Sequence, residues 1–426
     1  MYIWNFIKKT FLFIIFGFLL LSVSAKAQKI LIPMDLSQTD HLKAYGVTYW
    51  VLTKGVTVDW LLNYRSGSFM MDYDDLFAAE CRIRGVSFDV IDGAKASAIY
   101  SEVQSEDVNM DVVRLEKPPK IAVYAPPGTQ PWDDAVLLVL EYAEVPHDVI
   151  WDTEVIAGKL SDYDWLHLHH EDFTGQYGKF WANYQNTPWY IELVALNEAM
   201  ARKLGFSKVS DLKMSVALKI REYVAGGGFL FAMCSATDSY DIAMATQNVD
   251  ICGPMFDGDP ADPQANSKLD YSETFAFKDF KLILDPYVYE FSDIDIQPQE
   301  VGNPDMDYFT LFEFSAKYDP VPTMLTQSHV NVMKGFMGQT TGFHKHLIKE
   351  SVTILAEKEG AEQARYIHGN VGRGFFTWFG GHDPEDYRHY IGDPPTELIL
   401  HKNSPGYRLI LNNVLFPAAK KKKQKT

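Results

Sequence analysis

Apolar residues along this chain fall into two rhythms, short unbroken runs and helical spacings, and from residue 29 onward the two alternate. Lys29-Ile30-Leu31-Ile32-Pro33-Met34-Asp35 reads as a short buried strand, His41 to Leu52 as a helix stopped by Gly55, and Val56 to Leu62 as a second strand. The opening is therefore expected to be β-α-β. Asp74 to Arg84 predicts a helix and Ser87 to Ile91 a strand. Charge and proline interrupt the pattern at Arg114-Leu115-Glu116-Lys117-Pro118-Pro119-Lys120, which is read as a linker closing a small α/β domain over residues 28–116.

A second series starts at Lys120: strand Ile121 to Ala125, a turn at Pro126-Pro127-Gly128, helix Trp132 to Ala143, strand Asp148 to Trp151, and a further strand within Leu160 to Leu168. Leu212, Val216, Ile220 and Tyr223 share one face of a helix from Asp211 to Val224, with Ser210 as its cap; Gly226-Gly227-Gly228 ends it, and Phe229-Leu230-Phe231-Ala232-Met233 is the next strand. From Gly253 to about Asp307 the chain is rich in Asp, Pro and Gly, so an insertion is placed at about 253–345. Strand pattern resumes at Gly374 to Phe379, and Tyr407 to Leu415 reads as a closing helix. The alternation predicts an α/β fold: an open, mostly parallel, flavodoxin-like sheet with helices on both faces, over residues 120–417.

The first 27 residues stand apart. Lys8 and Lys9 precede an apolar run from Phe11 to Leu21, and Ala25-Lys26-Ala27 supplies small residues for cleavage before Gln28, the three-part form of a secretory signal. That run is shorter than the ~20 residues a membrane span needs, so export to the periplasm or the extracellular space is expected, with no span after cleavage. The net charge of −17 becomes −20 when Lys8, Lys9 and Lys26 leave with no acid, which argues against nucleic acid as a partner. The terminal Lys420-Lys421-Lys422-Lys423-Gln424-Lys425 is read as part of a basic disordered tail, residues 418–426. Cys81, Cys234 and Cys252 are too few and scattered for a disulfide framework, and their odd number leaves at least one thiol free. Asp257-Gly258-Asp259-Pro260-Ala261-Asp262 lacks the spacing and closing Glu of a calcium loop and is read as acidic surface.

Candidate chemistry lies at two strand ends. Phe229 to Met233 runs straight into Cys234-Ser235-Ala236-Thr237, the form of a nucleophile elbow, where a thiol at a helix N-terminus is expected to have a depressed pKa. Gly380-Gly381-His382-Asp383-Pro384-Glu385 follows the strand ending at Phe379, so His382 is a candidate base with Glu385 or Asp383 as its orienting carboxylate. His167 and His169 alternate on a strand, with His170 and Glu171 beginning the loop beyond. Imidazole with carboxylate is the donor set that zinc, iron or nickel takes, so these four are the candidate ligands of a divalent metal; otherwise they are a hydrogen-bonded buried pair and a polar loop. No other cofactor is expected.

On these residues the region from Lys120 to about Pro417 resembles the class I glutamine amidotransferase-like fold. The resemblance implies Cys234 as nucleophile, His382 as base and Glu385 as orienting acid. It comes with three departures: Ala232 and Ala236 replace elbow glycines, Asp383 stretches the His-Pro-Glu triplet, and His167-Leu168-His169-His170-Glu171-Asp172 stands where a glycine-rich oxyanion loop belongs. The whole chain, including Ile30 to Ser37 and Trp60 to Arg65, also resembles exported bacterial proteins labelled asparagine synthetase B. That label implies glutamine-dependent amidation of aspartate, but neither an N-terminal catalytic cysteine nor a Ser-Gly-Gly-x-Asp-Ser loop for ATP is present. The expected function is thiol-dependent hydrolysis or transfer on a small amide or peptide-like substrate. The rival is a non-enzymatic envelope protein that binds a ligand with its aromatic and acidic loops, for which 23 Tyr and 9 Trp give material. The sequence leaves the oligomeric state open.

Overall fold

The computed structural model describes residues 28–128, 130–296 and 298–420; the expected signal, residues 1–27, and Lys421 to Thr426 of the basic tail lie outside them. The chain begins with a five-stranded sheet of β1 (Lys29–Ile32), β2 (Val58–Leu62), β3 (Ser68–Asp72), β4 (Asp89–Ile91) and β5 (Asp111–Leu115), in the order β4-β1-β3-β2-β5. Every pairing in it is antiparallel. Helix α1 (His41–Thr53) joins β1 to β2 as expected, but the two strands do not pair, because β3 lies between them. The five residues from Asn63 to Gly67 are too short a link for anything but an antiparallel return, and Asn63, Arg65, Ser66 and Gly67 take positive φ to make it. Two further helices, α2 (Asp75–Ile83) and α3 (Gly93–Val103), complete this part. Arg114 and Leu115, read from their charged surroundings as linker, are the end of β5: Arg114 pairs with Asp59 at 2.9 Å and Leu115 is fully buried.

The second sheet is mixed. Its parallel part comprises β6 (Ile121–Tyr124), β7 (Asp148–Ile150), β8 (Trp165–Leu168), β9 (Phe229–Met233) and, much later, Gly374–Phe379. Between the last two come β10 (Tyr308–Leu311), β11 (Val332–Lys334), β12 (Phe343–His344), β13 (Thr353–Glu357) and β14 (Gln363–Val371), which makes Gly374–Phe379 strand β15. The order is β11-β10-β13-β14-β15-β9-β8-β6-β7, with β12 on β14, so an antiparallel flank extends a parallel core. Counted along the chain, the parallel strands lie in the order 2-1-3-4-5, a doubly wound arrangement whose ligands bind at the carboxyl ends of the strands. Three of the flanking strands fall in the stretch 253–345. They have two to four residues each, too few to show an alternation in the sequence.

Helices α4 (Ala135–Tyr142), α5 (Asp152–Ile156), α6 (Pro188–Leu204), α7 (Val209–Gly226), α8 (Ser235–Ala245) and α9 (Pro405–Leu415) follow. On one face of the mixed sheet, Leu212, Val216, Ile220 and Val224 of α7 pack with Leu166, Leu230 and Tyr240. The other face carries α4 and α9, and its apolar cluster runs on into the first sheet through Tyr45, Trp60, Val139, Leu140, Leu411 and Val414. Each such side chain contributes about 1.5–3 kcal/mol on burial. The two sheets thus share one core. No helix among the described residues is long and apolar enough to cross a membrane.

Candidate functional site

The carboxyl ends of β6, β8, β9 and β15 converge on one polar cluster. Strand β9 is buried throughout and turns abruptly into α8 at Cys234, whose φ of 50° and ψ of −141° are a backbone state that L residues avoid. Holding it costs about 1–3 kcal/mol. Sγ accepts the Gln339 N–H at 3.3 Å, and the loop carrying Gln339 approaches closely only because residue 338 is glycine. A Cβ there would lie 3.0 Å from Sγ and 2.9 Å from the His382 backbone nitrogen. Cys234 is 2% exposed. Burial pushes its thiol up to about 11, against the lowering effect of the Thr340, Gln339 and Ser235 amides. The depressed pKa expected of a thiol at a helix N-terminus is therefore overturned by desolvation. All three cysteines are free and buried, and burial likewise raises Cys81 to about 12 and Cys252 well above the usual thiol range.

Beside the thiol stands a chain of imidazoles and carboxylates. Nδ1 of His167 faces the Phe231 carbonyl at 3.1 Å, and its Nε2 lies 3.5 Å from Asp134 Oδ1. His169 places Nδ1 3.3 Å from the same Asp134 oxygen and Nε2 3.1 Å from His382 Nδ1, while His382 Nε2 is 3.4 Å from Asp133 Oδ1. Carbonyls and carboxylates only accept, so Nδ1 of His167 and Nε2 of His382 carry protons, and Nδ1 of His169 lies 3.4 Å from His167 Nε2 with one proton between them. One further proton lies between His169 and His382. Burial disfavours charge on His169, but Asp134, with Glu171 and Asp133, outweighs it and raises the imidazole. Burial opposes an ionised Asp134 as well, yet His169 and His167 hold its carboxyl well below the usual range. Burial, then His169 and His389, push His382 down to about 3; the His389 ring stacks on it at 3.7 Å. His170 is held neutral by burial and by His169 and His382, and neither of its ring nitrogens has a hydrogen-bond partner.

Asp134 and Asp133 are the residues the sequence reading missed. Both were absorbed into the helix expected from Trp132. Helix α4 starts only at Ala135, capped by Asp134, whose side chain accepts from Val136 N and Leu137 N at 2.8 and 3.0 Å. A paired Asp-Asp before an apolar helical run is a cap signal, and it was the only clue available.

The expected triad is not assembled. Among the described residues, no hydrogen bond joins Cys234 Sγ to an imidazole, and neither Glu385 nor Asp383 bonds to His382. Glu385 accepts from His401 Nδ1 and the Tyr387 hydroxyl, both at 2.9 Å. Asp383 accepts from the Tyr407 hydroxyl at 2.6 Å and the Glu385 amide at 2.8 Å. The extra residue in His-Asp-Pro-Glu forms a tight turn that carries Glu385 away from His382. Asp133 takes the place expected for it. The expected metal ligands are divided too: His169 and His170 group with His382, His167 groups with His169 and Asp134, and Glu171 belongs to neither group. The Glu171 carboxylate instead accepts the His169 N–H at 2.9 Å, and burial pushes it up to about 7. The Lys208 ammonium bridges Asp257 and Asp259 of the acidic stretch, at 2.9 and 2.7 Å, to Asp250 just before it, at 3.0 Å.

No family model matches the chain, and no curated protein matches it. Among solved structures it is similar to the cytoplasmic protein STM3548 from Salmonella typhimurium, with 13% identity over 71% of this chain and 100% of that one, at a TM-score of 0.35. The cytoplasmic protein STM1381 from Salmonella typhimurium LT2 gives 13% identity, 70% and 99% coverage and a TM-score of 0.35. Gan42B, a GH42 β-galactosidase from G. stearothermophilus, gives 13% identity over 62% of this chain and 28% of that one, at a TM-score of 0.26. Likenesses at these scores carry no argument about fold or function.

The segment over Cys234 is firmly tied. Thr340 donates to Asp238 at 2.8 Å, the Thr341 amide to Asp295 at 2.9 Å, and the Gln339 side chain to the Gly178 carbonyl at 2.7 Å. A small cavity opens beside the cluster, lined by His170 and Glu171 and walled by Trp132, Trp151, Tyr177 and Phe180. A larger one, about 1000 Å³, lies at the opposite, amino ends of the strands among Tyr163, Tyr223, Phe229, Phe375 and Phe416, remote from these groups.

Proposed function

We propose that the chain is an amidotransferase-like hydrolase of small amide or peptide-like substrates, with Cys234 as its nucleophile. The observation behind this reading is the Cys234 backbone. Positive φ at a strand-to-helix turn is relieved by glycine, and a strained cysteine there gains only the placement of its thiol. In the reaction Sγ attacks the substrate carbonyl while the Thr340, Gln339 and Ser235 amides around it supply donors for the developing oxyanion. A thiol raised to about 11 is neutral at pH 7, so its proton leaves during the attack, as from a serine, toward an imidazole of the neighbouring cluster. The leaving amine takes up the proton, and water then cleaves the thioester. Substrate reaches Sγ only when the loop around Gln339 lifts. The expected signal supports an activity outside the cytoplasm.

Burial of Sγ and the unassembled triad favour a second reading, a binding protein that keeps the fold without turnover. The deciding experiment is ammonia or amine release from a panel of primary amides, γ-glutamyl compounds and short peptides, by the wild type and Cys234→Ser. Trapping of the acyl group on Cys234 is followed by mass spectrometry. Turnover with a Cys234 adduct, lost in Cys234→Ser, is the expected result. Turnover that survives in Cys234→Ser overturns the thiol mechanism, and ligand retention without turnover or adduct establishes the binding protein.

A further inference from the structure

We infer that His169, His170 and His382 bind a divalent first-row metal ion, with Asp134 and Asp133 fixing two of the rings from behind. The inference does not rest on the thiol reading and uses none of the observations on Cys234. Nitrogens of the three imidazoles lie within 4.8 Å of one another. In a tetrahedral zinc site with bonds of about 2.1 Å, two ligand nitrogens are separated by about 3.4 Å. His169 Nε2 and His382 Nδ1 are 3.1 Å apart, so a small outward movement, with release of the proton between them, makes these two nitrogens one edge of a coordination shell.

The groups behind these nitrogens fit the same assignment. Histidines that ligate metals nearly always donate their other ring N–H to a carboxylate or carbonyl, which fixes tautomer and orientation. His382 does so to Asp133 through Nε2, and His169 sets its Nδ1 3.3 Å from Asp134 Oδ1, so each points its other nitrogen at the common centre. A buried ring normally satisfies both nitrogens. Those of His170 are shielded from solvent and have no hydrogen-bond partner, although the residue as a whole keeps some exposure. Its ring lies 5.2 Å from that of His169 and 6.0 Å from that of His382. A donor so placed is explained by a ligand between the rings. His170 lines the small cavity next to Trp132, which gives an ion its approach. All-imidazole donors suit zinc and its neighbours rather than calcium or magnesium.

The test is zinc binding to the untagged chain, first stripped with a chelator, measured by competition with a chromophoric chelator and, for cobalt(II), by the visible bands of a four-coordinate ion. One zinc per chain is expected. His170→Ala and His170→Phe should abolish it; the phenylalanine variant keeps a ring against Trp132 and guards against loss of packing. Asp133→Asn and Asp134→Asn should weaken binding by about 10- to 100-fold with the stoichiometry kept. Replacing His344 and His346, whose rings lie 5.6 Å apart outside this cluster, by His344→Gln with His346→Gln should leave binding unchanged, as should Cys234→Ser, so that failure of the thiol mechanism and failure of the metal site are told apart. A wild type that takes up no stoichiometric zinc, or undiminished binding by folded His170→Phe, overturns the site.

Discussion

Gly338→Ala is a sensitive probe of how the Cys234 elbow is covered. The new methyl would lie 2.9 Å from the His382 backbone nitrogen, 3.0 Å from Cys234 Sγ and 3.0 Å from the Gly381 carbonyl carbon. Ordinary contacts at carbon are about 3.5–4.0 Å, so the loop must retreat by about 0.5–1 Å from two backbone atoms and the sulfur. Overpacking of this kind costs about 1–3 kcal/mol. Unfolding entropy of about 2 cal/mol/K per residue makes that only about 1–3 °C in melting temperature for a chain of this length, so local opening is the better readout. If the cost falls on the closed loop, the fraction of time Sγ is exposed rises by about 5- to 150-fold. Iodoacetamide labelling of Cys234, followed by peptide mass spectrometry at fixed pH, reads that ratio directly. Gly226→Ala is the control: a Cβ there meets nothing within 4 Å and its φ is not positive, so neither stability nor labelling should suffer. Labelling in Gly338→Ala equal to that of wild type, with unchanged stability, would refute the close approach of the loop to the thiol.

Three further outcomes follow from the packing. Because burial raises Cys234 to about 11, the closed fold should carry no Cys234 thiolate at about pH 7 to 9, read as the ultraviolet thiolate absorbance of the wild type minus that of Cys234→Ser; a thiolate signal at about pH 8 that Cys234→Ser lacks would contradict the desolvation argument. The buried Lys213 ammonium rests on Asp152 at 3.0 Å and on the Tyr124 hydroxyl at 3.0 Å, so Asp152→Ala should lower stability by about 3–5 kcal/mol in urea unfolding; Asp152→Leu combined with Lys213→Met should recover most of it, and equal losses in both would count against a buried pair. Burial lifts Asp241 from 3.8 to about 6 despite three backbone donors, Phe275, Ala276 and Phe277, so the folded chain holds this proton more tightly than the unfolded one. Its contribution is complete below about pH 4 and lost as pH rises to about 6; the stability difference between wild type and Asp241→Asn should shift over that window, and parallel urea curves from pH 4 to 7 would exclude it.

What the sequence alone determined is what local pattern can carry. Five buried residues followed by small ones put Cys234 at a strand-to-helix junction, and the same logic put His167 within a strand and His382 just past the end of another, because burial on both faces of a parallel strand forces an unbroken apolar run. The alternation of such runs with amphipathic helices was enough for the α/β class. Partners and environments were decided by the tertiary structure. Strand β3 separates β1 from β2, and three short strands from 253–345 extend the mixed sheet, because their pairing depends on edges that no short segment specifies. Asp133 meets His382 across 249 positions, and the amide of Gln339 meets Cys234 across 105. Glu385, only three residues from His382, is turned away from it by its own tight loop. The same holds for charge: a helix N-terminus predicts a lowered thiol, but the distant loop that buries it removes water, and desolvation, which depends on everything packed around an atom, outweighs the dipole.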